Sequence, residues 1–207
     1  MQPYKAVIFD IDGTIIDTEK AILHSLQRTL RELEGWEKTE DEIAFVLGVP
    51  GKTGLAQLGV SDIDHCWEIW DGYFMELSAA SKPFDGVPEL IEELKRRGIP
   101  LGIVTSKRRC EWEDSLERYP CLRSFDAAIT ADDTLRHKPE AEPMLAVLEK
   151  LGADAQHAVY LGDTEYDMRC AAAAGVDGAL AVWGCRCPQK VEATHKLDNP
   201  QQLLKMI

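Results

Sequence analysis

Apolar and polar positions fall into alternating blocks along this chain. From Phe84 onward, "IPLGIVTS", "FDAAIT", "HAVYLGD" and "GALAVWG" predict strands, while "CEWEDSLERY", "EAEPMLAVLEKLG" and "EYDMRCAAAAG" predict helices between them. A βα repeat of this kind builds a parallel sheet with helices on both faces and right-handed crossovers. The opening "YKAVIFD" is expected to join the same sheet.

Residues 17–82 follow a different pattern. "TEKAILHSLQRTLRELEG" places Ile22, Leu23, Leu26, Leu30 and Leu33 at helical spacing, and "TEDEIAFVLG" begins with Thr39 and Glu42 in capping-box positions. "SDIDHCWEIWDGYFMELSAA" is a third helical stretch, and Pro83 and Gly86 in "SKPFDGVPEL" mark a return crossing. The expected organisation is an α/β core of residues 1–16 and 83–207 with an inserted all-helical module of residues 17–82. Inserted beside the end of the first strand, that module is placed to act as a lid.

Composition narrows the function classes. The 207 residues are 45% hydrophobic, enough for a packed interior, and the formal charge of −13 argues against nucleic acid and anionic membranes as partners. A small anionic substrate stays compatible with that charge, because a metal ion and a few local cations dominate the field inside one cleft. No apolar run approaches the ~20 residues of a spanning helix, and Met1 leads to a strand without a basic leader, so a cytoplasmic location is expected. The six cysteines contain no C-x-x-C pair and are expected to be free thiols. Cys185 and Cys187 alternate in "GCRCP", with no His or second Cys pair at ligand spacing.

In an open parallel sheet, ligands gather beyond the carboxyl ends of the strands. The first predicted strand ends in Asp10, with Asp12 two residues on; the second ends in Thr105 and Ser106. The segment after the third leads to His137 and Lys138, and the fourth ends in Asp163, with Asp167 beyond. An isolated aspartate after a strand is commonly a turn or cap residue. Several carboxylates on one rim would repel one another unless a cation sat among them. Mg²⁺ takes such oxygen ligands, typically one or two carboxylates plus a substrate phosphate. Asp10 and Asp163 fit that role, while Thr105 and Lys138 fit the holding of phosphoryl oxygens. An ionised aspartate is also a competent nucleophile towards phosphorus.

"FDIDGT", "VTSK", "KPEAEP" and "LGDTEYDMRCAAAAG" resemble the ordered motifs of the haloacid dehalogenase-like hydrolase superfamily, in its phosphoglycolate phosphatase-like branch with a helical cap. The resemblance spans essentially the whole chain. It implies a Rossmann-like parallel sheet sandwiched by helices with an inserted all-helical cap. It also implies Asp10 as nucleophile and Mg²⁺ ligand, and Asp12 as an acid/base that lends its backbone carbonyl to the metal. Thr105, Ser106 and Lys138 would bind the phosphoryl group, Asp163 would be the remaining carboxylate ligand, and Asp167 would support metal-bound water or Lys138. Ala141 departs from the pattern, standing where many of these enzymes have a second proline. The name-giving dehalogenases lack an acid at the position of Asp12, so phosphotransfer is the implied chemistry.

The expected function is a Mg²⁺-dependent phosphatase acting on a small phosphorylated metabolite through an aspartyl-phosphate, as a monomer or homodimer. The alternatives are a β-phosphoglucomutase-like phosphomutase, a phosphonatase and a non-catalytic phospho-accepting protein. Among cap residues, Lys52 in "LGVPGKTG" is the candidate for substrate contact, read as part of a glycine-rich loop between two helices. In phosphonoacetaldehyde hydrolases, which resemble this architecture, a cap lysine forms a Schiff base, a role that Lys52 would take in that alternative. The near-helical spacing of Trp67, Trp70, Tyr73 and Phe74 reads as packing within the helical module.

Overall fold

The computed structural model describes residues 3–207. Six parallel strands, β1 (Ala6–Phe9), β2 (Leu101–Val104), β3 (Ala127–Ile129), β4 (Ala158–Gly162), β5 (Asp177–Ala181) and β6 (His195–Leu197), form one sheet in the order β3-β2-β1-β4-β5-β6. Every residue of β1, β2 and β4 is buried, which is why these strands read as unbroken apolar runs. Strand β6 has no counterpart among the sequence expectations. It is a short edge strand in which only Leu197 is buried, too brief for a period-2 pattern to register.

Successive strand residues point to opposite faces, so β1 serves two cores. Val7 and Phe9 pack with Leu90 and Leu94 of α5 (Val87–Arg96) and Trp112 of α6 (Arg109–Arg118). Ala6 and Ile8 pack with Met144 and Val147 of α7 (Glu142–Leu151) and Cys170 of α8 (Glu165–Ala173). In α5 the positions Val87, Leu90, Ile91 and Leu94 recur at helical spacing and are the ones buried. The register places Phe9 beside both Ile103 and Leu161. The carboxyl ends of β1, β2 and β4 are therefore level, and the residues that follow them share one rim.

Between β1 and α5 the chain is helical: α1 (Glu19–Glu34), α2 (Glu40–Ile43), α3 (Gly51–Leu58) and α4 (Ile63–Leu77), with short 3-10 turns. Leu23, Leu26, Leu30, Ile43, Leu55 and Trp70 form an apolar cluster separate from those on the sheet. The two connections to the sheet run side by side: Asp17 N–H donates to Lys82 O, and Phe84 N–H donates to Ile15 O, both at 2.9 Å. The Thr39–Glu42 capping box forms, but α2 is only four residues long and gives way to a 3-10 turn at Ala44–Val46, shorter than the helix expected over "TEDEIAFVLG". "LGVPGKTG" is not a loop throughout: α3 begins at Gly51, so Lys52 occupies a first helical turn. Gly51 has a packing role there, because a Cβ would lie 1.8 Å from Cζ3 of Trp67. Among the described residues no helix is long and apolar enough to cross a membrane, and all six cysteines are free.

Candidate active site

Asp10 leaves β1 at the level rim and is 3% exposed. The chain then turns tightly, with Gly13 N–H donating to Ile16 O at 2.8 Å and Ile15 N–H to Ile11 O at 2.8 Å. Gly13 sits at φ 80°, and a Cβ there would lie 2.2 Å from Asp163 Oδ2. Glycine is required at this position by conformation and by space at once. The turn also brings Thr14 Oγ1 to donate to Asp163 Oδ1 at 2.9 Å.

Lys138 arrives from the segment after β3 and is buried between two carboxylates. Its Nζ lies 3.0 Å from Asp10 Oδ1 and 2.8 Å from Asp167 Oδ1. Tyr160 of β4 places its hydroxyl 2.8 Å from the same Asp167 oxygen, and Thr164 donates its N–H and Oγ1 to Asp167 Oδ2 at 3.0 and 2.5 Å. Burial works against the Asp167 charge, but Lys138, Thr164 and Tyr160 outweigh it and hold the carboxyl below its ordinary range. Burial also works against the Lys138 charge, and Asp10 and Asp167 more than reverse that, keeping the ammonium protonated.

The other two carboxylates behave in the opposite way. Burial pushes Asp10 up to about 7, with Lys138 opposing and the charges of Asp167 and Asp12 adding to it. Asp163 is raised well above the carboxylate range by burial and then by Asp167 and Asp10. Oxygen atoms of Asp10, Asp163 and Asp167 lie within 4.8 Å of one another. The oxygens of Asp167 are occupied by Lys138, Tyr160 and Thr164, and Lys138 is shared between Asp167 and Asp10, so one ammonium serves three carboxylates and Asp10 and Asp163 together keep an excess of negative charge. Two buried, hard oxygen donors in that condition fit a divalent cation such as Mg²⁺.

Asp12 turns a different way. Thr18 Oγ1 donates to its Oδ1 at 2.9 Å, and Lys107 Nζ lies 2.9 Å from its Oδ2. Burial opposes the Lys107 charge, and Asp12 more than restores it. Thr105 is buried directly after β2, and its Oγ1 accepts from Lys107 N–H at 3.2 Å. Ser106 donates its hydroxyl to Gly48 O at 2.8 Å, tying the sheet rim to the helical segment.

These side chains floor and wall a cavity of about 290 Å³. Asp10, Asp12, Thr105, Ser106, Lys107 and Lys138 line it from the sheet, and Val46, Lys52, Trp67 and Phe74 from the helical segment. Asp163 and Asp167 lie against Asp10 outside that lining. Lys52 lines the cavity while paired to Asp64 at 2.5 Å. The aromatic stripe of α4 is divided in role: Trp67, Trp70 and Phe74 line the cavity, Trp70 being buried with its indole N–H donating to Ser25 Oγ at 2.9 Å, whereas Tyr73 lies outside the lining and packs under Arg28. Reading the whole stripe as packing is corrected by that arrangement.

Two ammonium groups converge on the rim, where the strand ends alone indicate one. Lys107 stands inside "VTSK", so its signal was its position directly after the strand's two hydroxyl residues. Tyr160 carried a signal too, as the one hydroxyl-bearing aromatic in the aliphatic run "AVYLG". Arg108 and Asp71 also line the cavity; Asp71 shares the helical spacing of Trp67 and Phe74, but a charged residue at such a position ordinarily reads as solvated surface.

A carboxylate held against an ammonium, a second buried carboxylate beside it and a third acid on the cavity wall form an arrangement suited to phosphoryl transfer. The family model described as haloacid dehalogenase-like hydrolase matches residues 7–181. The pyrophosphatase PpaX of Bacillus velezensis is 31% identical over 96% of this chain and 94% of its own length. A phosphoglycolate phosphatase of Aquifex aeolicus is 29% identical over 98% of this chain and 96% of its own length. A Lactobacillus plantarum protein, solved under the provisional name phosphoglycolate phosphatase, superposes with a TM-score of 0.89 at 30% identity over 100% of both chains.

Proposed function

The chain belongs to the haloacid dehalogenase-like hydrolase family and is a phosphatase of it, and on that premise we propose a Mg²⁺-dependent phosphatase that hydrolyses a small phosphomonoester through an aspartyl-phosphate on Asp10. The observation that carries this reading is the placement of Asp10 at the cavity floor, 3.0 Å from Lys138 Nζ and grouped with the uncompensated Asp163. A nucleophile attacking a phosphoryl dianion needs cations beside it, and this one has an ammonium and a carboxylate pair suited to a metal.

In the proposed reaction an Asp10 oxygen attacks phosphorus and the ester P–O bond breaks. Asp12 donates a proton to the departing oxygen. Water then attacks the aspartyl-phosphate, gives its proton to Asp12 and releases inorganic phosphate, leaving Asp10 and a protonated Asp12 for the next cycle. Thr105, Ser106 and Lys138 wall the phosphoryl position, and Lys138 also fixes Asp10. Asp10, Asp163 and the Asp12 backbone carbonyl would hold Mg²⁺, whose contribution when bound is to neutralise charge on the phosphoryl oxygens. Asp167 acts by orienting Lys138. The helical segment of residues 17–82 serves as the cap that closes the site and carries specificity.

Phosphate release from p-nitrophenyl phosphate with Mg²⁺ tests the reading. Wild-type protein should turn the ester over and Asp10→Asn should abolish turnover; full activity in Asp10→Asn would sink the mechanism. Release of free phosphate from a sugar phosphate, without retention on the sugar, separates this reading from a mutase.

A further inference from the structure

The cavity carries recognition chemistry beyond the reacting groups. Trp67, Asp71 and Phe74 recur at helical spacing on α4, and all three line it. Arg108 reaches the same cavity from the loop between β2 and α6, with its guanidinium carbon 4.8 Å from the Trp67 ring centroid. Its Nε is bonded to Glu111 at 3.3 Å, but among the described residues its two terminal nitrogens make no hydrogen bond. Asp71 Oδ2 lies 4.0 Å from one of them, too long for a hydrogen bond. Asp71 is itself only 35% exposed and, among the described residues, accepts no hydrogen bond. A guanidinium and a carboxylate, 4.0 Å apart and each about a third exposed, therefore stand side by side, contributed by the two halves of the molecule, next to an aromatic face.

We propose that Arg108 and Asp71 are the specificity-determining pair of this site and select a phosphomonoester whose leaving group is a neutral, polyhydroxylated carbon skeleton. A hydroxyl both donates and accepts, so it satisfies Asp71 and Arg108 together, while C–H faces of the skeleton lie against Trp67 and Phe74. A leaving group with its own carboxylate or second phosphoryl group meets Asp71, Glu111 and Asp132, which all line the cavity. The cations of the lining are already held by acids: Lys52 by Asp64, Lys107 by Asp12, Lys138 by Asp10 and Asp167, and Arg108 by Glu111. Size agrees: at about 290 Å³ the cavity is of the order of ~300 Å³ at which small-molecule pockets begin. The inference rests on the phosphatase reading and adds the substrate class to it.

The test is kcat/KM for phosphate release by the full chain with Mg²⁺. The probes are ribose 5-phosphate, glucose 6-phosphate and glycerol 3-phosphate on one side, and phosphoglycolate and pyrophosphate on the other. The best polyol phosphate should exceed both anionic substrates by about tenfold or more; a ratio of one or less overturns the inference. Asp71→Asn should lower activity on the polyol phosphate and raise it on phosphoglycolate, and Arg108→Lys should raise KM for the polyol phosphate more than it lowers kcat. Opposite movement on two substrates cannot come from misfolding; an unchanged ratio in Asp71→Asn overturns the inference. Turnover of p-nitrophenyl phosphate with a preference for phosphoglycolate or pyrophosphate refutes the inference alone. No turnover of p-nitrophenyl phosphate refutes the phosphatase reading and the inference together.

Discussion

Lys107 Nζ and Asp12 Oδ2 are 2.9 Å apart, and the other oxygen of that carboxylate accepts from Thr18. Asp12 is thus fixed by one residue from the rim of β2 and one from the start of the helical segment. In the proposed reaction Asp12 is the proton carrier, which must sit at hydrogen-bond distance from the oxygen that it serves, so a clamp on both carboxylate oxygens would control its aim.

The clamp gives the first prediction. Lys107→Gln should lower kcat by about 10- to 100-fold, a part of the ~10²–10⁴ typical of general acid–base catalysis. The loss should be larger for an alkyl phosphate, whose leaving oxygen needs a proton, than for p-nitrophenyl phosphate, whose does not. Equal loss on both substrates in steady-state assays would show that Lys107 acts on something other than proton delivery.

Lys138 is a matter of stability as well as chemistry. It is buried with Asp10 and Asp167 at 3.0 and 2.8 Å, so Lys138→Met leaves two buried carboxylates without their cation. Removing one partner of a buried ion pair typically costs about 3–5 kcal/mol, and a loss of that order is expected in urea unfolding. Tyr160→Phe deletes only a hydroxyl beside Asp167 and should cost about 1–3 kcal/mol. A Lys138→Met protein as stable as wild type would mean that Asp10 and Asp167 take up protons at no cost.

Gly13 ties the first strand's turn to Asp163. With φ at 80° and only 2.2 Å between the place a Cβ would occupy and Asp163 Oδ2, Ala has no undistorted fit. Gly13→Ala should displace Asp163 and weaken Mg²⁺ activation, read as a rise of about tenfold or more in the Mg²⁺ concentration for half-maximal rate, since a 1 Å misplacement near the chemistry can cost ~10²-fold. An unchanged Mg²⁺ dependence would separate Asp163 from the metal.

Legibility in the sequence differed by element. Buried parallel strands announce themselves through unbroken apolar runs, so β1, β2 and β4 and the residues that end them were readable, and Asp10, Thr105, Lys138, Asp163 and Asp167 all reach one rim. The edge strand β6 was not, because one buried residue in three carries no pattern. Lys107 was hidden by the same motif that displayed Thr105: spacing shows that a residue follows a strand, not which carboxylate its long side chain finds. Arg108 and Asp71 were illegible for a further reason. Their partnership exists only once α4 lies against the loop after β2, a contact between segments that no local periodicity encodes.

Without added Mg²⁺, the buried carboxylates should make stability depend on pH in a definite direction. Burial raises Asp10 to about 7 and Asp163 well above its ordinary value, so the folded chain holds protons that the unfolded chain releases near pH 4. With fewer protons on the unfolded state, these two groups make stability fall as pH rises: their contribution is complete below about pH 4, and that of Asp10 is lost as pH passes upward through about 7. Asp167, held below its ordinary value, has the opposite sign, but its contribution is already in place above about pH 4. Mg²⁺ needs both Asp10 and Asp163 ionised and competes with their protons, so it should stabilise most where those protons are gone. The increase in Tm on adding Mg²⁺ should therefore be small at pH 5 and larger at pH 8, and it should vanish in Asp163→Asn at both. Thermal melts with and without Mg²⁺ at the two pH values check this, and an increment independent of pH would place the ion away from Asp10 and Asp163.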